Sequence, residues 1–176
     1  LSLDDEKKFG KLELSSNKLK RIAEYQIYND YFNFHFFDKK DQPSISYKGR
    51  FNLKPFYANL EGNLDEINLS YLFGSNAIIS QFLKTEIFNN KNINFKLKIN
   101  ADNIYNNNNF RNINLNSKIH NGLIDTDKTR FEWRNFADFE LLETLIFVRD
   151  GELVLDGKLK ININNYDEIY KFLLTP

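Results

Sequence analysis

The stretch Ile93-Asn94-Phe95-Lys96-Leu97-Lys98-Ile99-Asn100-Ala101 alternates apolar and polar residues without a break. Successive side chains of a β-strand point to opposite faces. The spacing therefore predicts a strand with Ile93, Phe95, Leu97, Ile99 and Ala101 on one side and amide or ammonium groups on the other. A helix would scatter these apolar residues around its circumference, because its neighbours on one face recur every three to four positions. The alternation returns downstream. Ile113, Leu115, Ser117 and Ile119 are separated by Asn114, Asn116 and Lys118. Leu153, Leu155, Gly157, Leu159, Ile161 and Ile163 are separated by Val154, Asp156, Lys158, Lys160 and Asn162. It also returns upstream, in Ile45, Tyr47, Gly49, Phe51 and Leu53, in Phe32, Phe34 and Phe36, and briefly in Leu12 and Leu14. One wet and one dry face per strand predicts a mainly β protein built on an antiparallel sheet with one side in water.

Turn chemistry falls between these runs. Asp150-Gly151 and Asn121-Gly122 suit two-residue hairpins, which need positive φ at both central positions. Asp38–Pro43 reads as a longer turn, and Asn106–Asn109 as a loop. Gly157, in the middle of a long run, predicts a bulge or bend that curves the sheet. Helical spacing is limited to two places. Glu66–Lys84 carries Leu72, Ile79, Phe82 and Leu83, with Gly74 interrupting and Ser75 placed to cap a second short helix. At the end, Asn165 is placed to cap Tyr166–Leu174, with Ile169, Phe172 and Leu173 as its apolar stripe and Asp167 and Glu168 in the first turn. The expected fold is a curved antiparallel amphipathic sheet, a β-groove, with one helical insertion and a short C-terminal helix. No composition shift divides the chain, so residues 1–176 read as a single unit.

Composition bounds the chemistry. The 24 Lys and Arg balance 24 Asp and Glu, which disfavours nucleic acid as a partner. With no Cys there are no disulfides, thiolate metal sites or cysteine nucleophiles. The chain has no Met and starts at Leu1, which predicts a piece of a longer protein. The 17 Phe and 9 Tyr supply enough apolar surface for a core, while runs such as Leu145–Val148 are far too short to span a bilayer as a helix. The abundance of Asn and Lys reads as the codon bias of an AT-rich genome.

No motif carries a reaction. His35 and His120 lie outside any HExxH pattern, His35 pointing to the polar side of its strand and His120 standing before a turn near Asp125 and Asp127. The glycines form no phosphate-binding or nucleophile-elbow pattern. The carboxylate pairs Glu140 with Glu143 and Asp150 with Glu152 read as solvated charges at strand ends. Trp133, two residues after Phe131, reads as a core or sheet-edge aromatic rather than a base-stacking platform. Asn68-Leu69-Ser70 matches a glycosylation sequon. No catalytic residue, metal ligand or cofactor is expected.

The run from Phe51 to Pro176 resembles the AsmA-like family of double-membraned bacteria. The resemblance lies in the order of Lys54-Pro55-Phe56, the amphipathic stretch Leu64–Leu83, the alternating strand Asn92–Ile104, the hairpin Phe110–Ile124 and the close Asp150–Leu174. Residues 54–176 would then be one AsmA-like unit, and 1–53 further strands of the same kind. The resemblance implies a large envelope protein anchored in the inner membrane by a helix not in this sequence. It would project into the periplasm and pass phospholipid toward the outer membrane along an apolar concave sheet face, contributing to outer-membrane biogenesis. The implied partners are phospholipid acyl chains and adjacent groove segments of the same parent chain.

On this reading the chain is a non-enzymatic lipid-binding module. The residues expected to face lipid are Ile93, Phe95, Leu97, Ile99, Ile113, Leu115, Leu153, Leu155, Leu159, Ile161 and Ile163. An acyl chain makes no directional bonds, so an apolar surface shielded from water is the sole requirement. The alternative is a surface or periplasmic β-domain that binds a protein partner, its apolar face closed by its own helices into a core.

Overall fold

Each alternating run becomes a strand because the alternation lets one face leave water while the backbone is bonded to its neighbours. The computed structural model describes residues 7–16, 19–39, 44–70, 90, 92–120, 123–150 and 152–174, with backbone only at Ser16, Leu19, Val148, Glu152 and Leu153. In chain order the strands are β1 (Lys8–Ser16), β2 (Leu19–Ile27), β3 (Tyr31–Asp38), β4 (Ile45–Leu53), β5 (Phe56–Ile67) and β6 (Asn94–Ile104). They continue with β7 (Asn107–His120), β8 (Leu123–Asp125), β9 (Arg130–Trp133), β10 (Ala137–Arg149) and β11 (Glu152–Ile163). One helix, α1 (Tyr166–Leu174), follows. The protein is thus mainly β: one large, mostly antiparallel sheet with a short C-terminal helix. The strands lie in sequence order from β1 to β8 and on through β10 to β11, with β9 bonded to both β7 and β10. Among the described strands the edges of the sheet are β1 and β11.

The hairpin turns stand where turn chemistry places them. The β7–β8 register closes from His120 opposite Leu123, and the β10–β11 register from Arg149 opposite Glu152, each across two residues. Asp150 has a φ of 53°, the left-handed backbone that such turns demand. Asn121, Gly122 and Gly151 lie outside the described residues, as do 40–43 of the expected Asp38–Pro43 turn. The expected Asn106–Asn109 loop is shorter than predicted. Tyr105 and Asn106 make the turn, and Asn107–Asn109 already belong to β7.

The sheet is antiparallel, as expected, at every described pairing but one. β5 and β6 run parallel, with Leu60 beside Leu97 and Gly62 beside Ile99. Parallel neighbours need a crossover of about a dozen residues or more, and the chain between Ile67 and Asn94 provides that length. The predicted helical insertion at Glu66–Lys84 falls here. Glu66 and Ile67 instead complete β5, Leu69 and Ser70 take helical backbone, and residues 71–89, with Leu72, Gly74, Ser75, Ile79, Phe82 and Leu83, lie outside the described residues.

The irregularity predicted at Gly157 is on the neighbouring strand. β11 pairs continuously, whereas β10 holds one extra residue between Leu142 and Leu145. Glu143 takes a φ of 50° there, and the buried Thr144 turns over Gly157. A Cβ on Gly157 would stand 2.7 Å from the Thr144 Cα, a backbone atom that has little room to yield. Three other glycines lie directly opposite an aromatic residue: Gly10 opposite Tyr25, Gly49 opposite Phe34 and Gly62 opposite Tyr47. In each pair the ring occupies the space a Cβ would take, restoring contact that a strand glycine forfeits.

The two faces differ in chemistry over most of the sheet, Ile22, Phe37, Leu145 and Phe147 being among the apolar residues on the wet side. On the dry face, Tyr25, Phe32, Phe34 and Phe51 bring ring centroids within 5.8 to 6.3 Å. Next to them Ile67, Ile99, Ala101 and Ile113 form a buried cluster, and Ile119 and Ile124 a second. On the wet face, Asn114 donates to Asn100 at 2.7 Å and Asn100 to Asn63 at 2.9 Å, an amide ladder over three strands. The asparagines read as codon bias therefore have a structural use at these positions. At the end of the chain, Glu168 N–H donates to the Asn165 side chain at 3.2 Å, the predicted cap.

Replacing Gly157 with alanine should destabilise the protein by about 1–3 kcal/mol through overpacking against Thr144. A urea melt followed by circular dichroism checks this, and an unchanged midpoint would mean that the β10 bulge yields freely.

Candidate functional site

Directly opposed residues in a sheet share a face, so the registers place the expected lipid-facing residues. Phe95 lies opposite Ile119, Ile99 opposite Leu115, and Ala101 opposite Ile113. The row passes from Ile119 to Ile124 and on to Ile146. It ends with Ile146 opposite Leu155, Leu141 opposite Leu159, Phe139 opposite Ile161 and Ala137 opposite Ile163. Leu97 sits between Leu60 and Ser117 on this face. Ile93 stands just before β6, its N–H bonded to the Asn90 carbonyl at 3.0 Å. Leu153 pairs with Val148 in β11, and its side chain is outside the described residues.

These residues share a face but not an environment. Ile99 and Ile113 are only 5% and 6% exposed, whereas Leu155, Leu159, Ile161 and Ile163 are 62%, 53%, 50% and 41% exposed. Ile93, Phe95, Leu97 and Leu115 are half-buried. The expectation of one uncovered row is thereby corrected at its centre. Ile67, Leu69, Ile104 and Phe131 pack with Ile99, Ala101 and Ile113. The cause is the parallel junction, which ends β5 beside β6 and brings Leu69 onto the dry face. Toward β11 the same face opens to solvent.

Other exposed apolar residues lie outside the expected lipid-facing set. Leu12 and Leu14 on β1 are exposed, as are Tyr166, Tyr170, Leu173 and Leu174 on α1. The α1 set follows i, i+4, i+7 and i+8, a helical stripe that the sequence displays. Leu173, which the spacing groups with Ile169 and Phe172, belongs to this outer stripe. The helix is held through Phe172, whose ring lies 5.2 Å from Trp133 and 6.1 Å from Phe136. The Arg134 guanidinium stands 5.1 Å from the Phe172 ring centre and 5.4 Å from that of Phe136. The Asn164 and Asn165 N–H groups donate to the Phe136 carbonyl at 2.8 and 3.2 Å.

The buried and ladder-forming polar groups are engaged in structure. Asp38 is buried, accepting from Arg21 Nε at 3.2 Å and Ser44 Oγ at 2.5 Å, which ties the end of β3 to β2 and to the start of β4. His35 Nε2 lies 3.1 Å from Ser46 Oγ, and His120 Nδ1 2.5 Å from Asn94 Oδ1. Glu140 accepts from Arg130, and Glu143 from Lys158. A hydrogen bond from Lys48, then its charge, holds the Glu61 carboxyl below its ordinary value, and Lys20 acts in the same way on Glu13. Their folded values lie below the unfolded ones. The small, solvent-screened stabilisation is thus present at neutral pH and fades as pH falls below about 4.5. Burial raises the phenol of Tyr47. No group of three metal-ligating side chains occurs among the described residues. Two shallow depressions, of about 720 and 430 Å³, open on the wet face beside Lys98, Asn116 and Lys128.

Compared with known proteins, the chain matches no family model, no curated protein and no solved structure. The likeness to the AsmA-like family rests on its own sequence pattern.

Trp133 is the single tryptophan and reports on the α1 anchor. Phe172→Ala should shift its fluorescence to longer wavelength while the sheet's circular dichroism is kept. An unmoved spectrum would show that α1 is seated by something other than this aromatic contact.

Proposed function

We propose that the chain is a non-enzymatic lipid-binding module that holds phospholipid acyl chains against the dry face of its sheet at the β11 end. In this reading it belongs to an AsmA-like envelope protein, anchored in the inner membrane by its parent chain and carrying phospholipid across the periplasm. Neighbouring segments of that parent extend the same face. The carrying observation is the row Leu155, Leu159, Ile161 and Ile163, apolar side chains left in water along one side of one strand.

Magnitudes favour an acyl chain as the occupant. Covering four half-exposed aliphatic side chains contributes about 4 kcal/mol, and each acyl methylene buried adds about 0.8 kcal/mol. The lipid's own methylenes therefore supply most of the binding, and no particular polar residue is required. A second reading, a domain that binds a protein partner, is favoured by the closed centre around Ile99 and Ile113. Phospholipid retained through gentle purification and detected by mass spectrometry separates the two.

Leu155→Asp and Leu159→Asp should each abolish photocrosslinking to a phospholipid with a diazirine in its acyl chain. Both positions are exposed, so circular dichroism should remain that of the native sheet. A folded variant that still crosslinks would sink the lipid reading.

A further inference from the structure

We infer that β11 is a self-pairing edge: two copies of this chain join antiparallel through β11, about a two-fold axis at Lys158. The inference concerns the edge of the sheet rather than its dry face, and it stands apart from the lipid reading. Among the described residues β10 is the sole strand partner of β11, and every residue from Leu155 to Asn164 is exposed. Soluble proteins blunt such edges with proline, lysine, a bulge, an inward-pointing charge or a short strand, and of these β11 carries Lys158 and Lys160. β11 runs for 12 residues without proline. The extra residue of the bulge is on β10, opposite Gly157, and Asp156, Lys158 and Lys160 lie on the wet face.

The charges select β11 over the other edge. On β1, Lys11 pairs with Glu24 at 3.4 Å and Glu13 with Lys20 at 2.6 Å, so these two of its three charges are satisfied within the sheet. On β11, Lys158 is bound to Glu143, whereas Asp156 and Lys160 take part in no ion pair among the described residues. The residue opposite Lys160 is Glu140, already occupied by Arg130, and the residue opposite Asp156 is Leu145.

An antiparallel pairing centred on Lys158 resolves this. It sets Asp156 opposite the partner's Lys160 and, by symmetry, Lys160 opposite the partner's Asp156. Leu155 then meets the partner's Ile161, and Gly157 meets the partner's Leu159. Opposed residues are both odd or both even in number, so the dry face continues across the junction. Residues 153–163 all pair, nearly the whole strand. The like charges at the axis are each held by their own Glu143.

The chain contains no cysteine, so an introduced thiol reports only on its own copy in another molecule. Opposed Cα atoms in an antiparallel pair stand about 4.5–5.5 Å apart, within disulfide reach. Under mild oxidation Lys158→Cys should therefore give a covalent dimer, Asp156→Cys alone should not, and Asp156→Cys combined with Lys160→Cys should. Light scattering of the unmodified chain should give twice 20.9 kDa. Asp156→Lys and Lys160→Asp should each weaken the dimer about tenfold, having turned two attractive pairs repulsive, and the double reversal should restore it. These side chains are exposed, and circular dichroism confirms that each variant is folded. A monomer at roughly 100 μM, where even a micromolar dimer would be nearly complete, overturns the inference. So does a dimer indifferent to both charge reversals, or one that crosslinks as readily at 156 as at 158.

Discussion

A sheet with one dry face must find something to lie against that face, and here the chain's own means of doing so vary along the sheet. Period-two alternation gives every long strand an apolar side, and all the described strands join one sheet. Burial of those sides is the main favourable contribution to folding. Near β6 and β7 it is achieved within the chain, where Ile99, Ala101 and Ile113 are closed over. At β3 and β4 the large aromatic rings cover one another and the glycines opposite them. At β11 neither device operates, and leucine and isoleucine remain in water. The functional reading follows from this gradient.

The wet face is stabilised differently. Its residues gain little from burial, so they bond sideways across the strands. The amide ladder Asn63–Asn100–Asn114 and the pairs Lys48–Glu61, Arg111–Glu132 and Arg130–Glu140 run perpendicular to the strands. Exposed pairs of this kind contribute little to stability singly. They do define the register, because a slip of one residue would send each polar group to the dry face. Asp38 is the exception, a carboxylate drawn inside and matched by Arg21 and Ser44. An unmatched charge there would be strongly unfavourable.

The bulge on β10 and the helix α1 bear on the same end of the sheet. The extra residue between Leu142 and Leu145 reverses the phase of β10 relative to its own sequence, so that Phe139 and Leu141 below it and Ile146 above it share the dry face. Without the bulge Ile146 would exchange faces with Leu145 and Phe147, which now lie on the wet side opposite Asp156 and Val154. Gly157 makes the bulge possible by leaving room for Thr144. Beyond β11, α1 turns back onto Trp133 and Phe136 and leaves a second apolar stripe outward. The exposed surface at this end is therefore made by two elements.

The sequence by itself determined which side is dry on β3, β4, β6, β7 and β11, where the β7–β8 and β10–β11 hairpins turn and where α1 begins. These are local properties: alternation, turn residues and a capping asparagine act within a few positions of one another. Tertiary structure alone decided the parallel β5–β6 junction, the placement of the bulge on β10 rather than at Gly157, and the division of the expected lipid-facing residues into buried and open. Ile99 and Leu159 have the same alternating context, and nothing near either one distinguishes them. Their difference depends on strand order, since Ile99 lies in the middle of the sheet, where distant segments pack upon it, and Leu159 lies on the last strand.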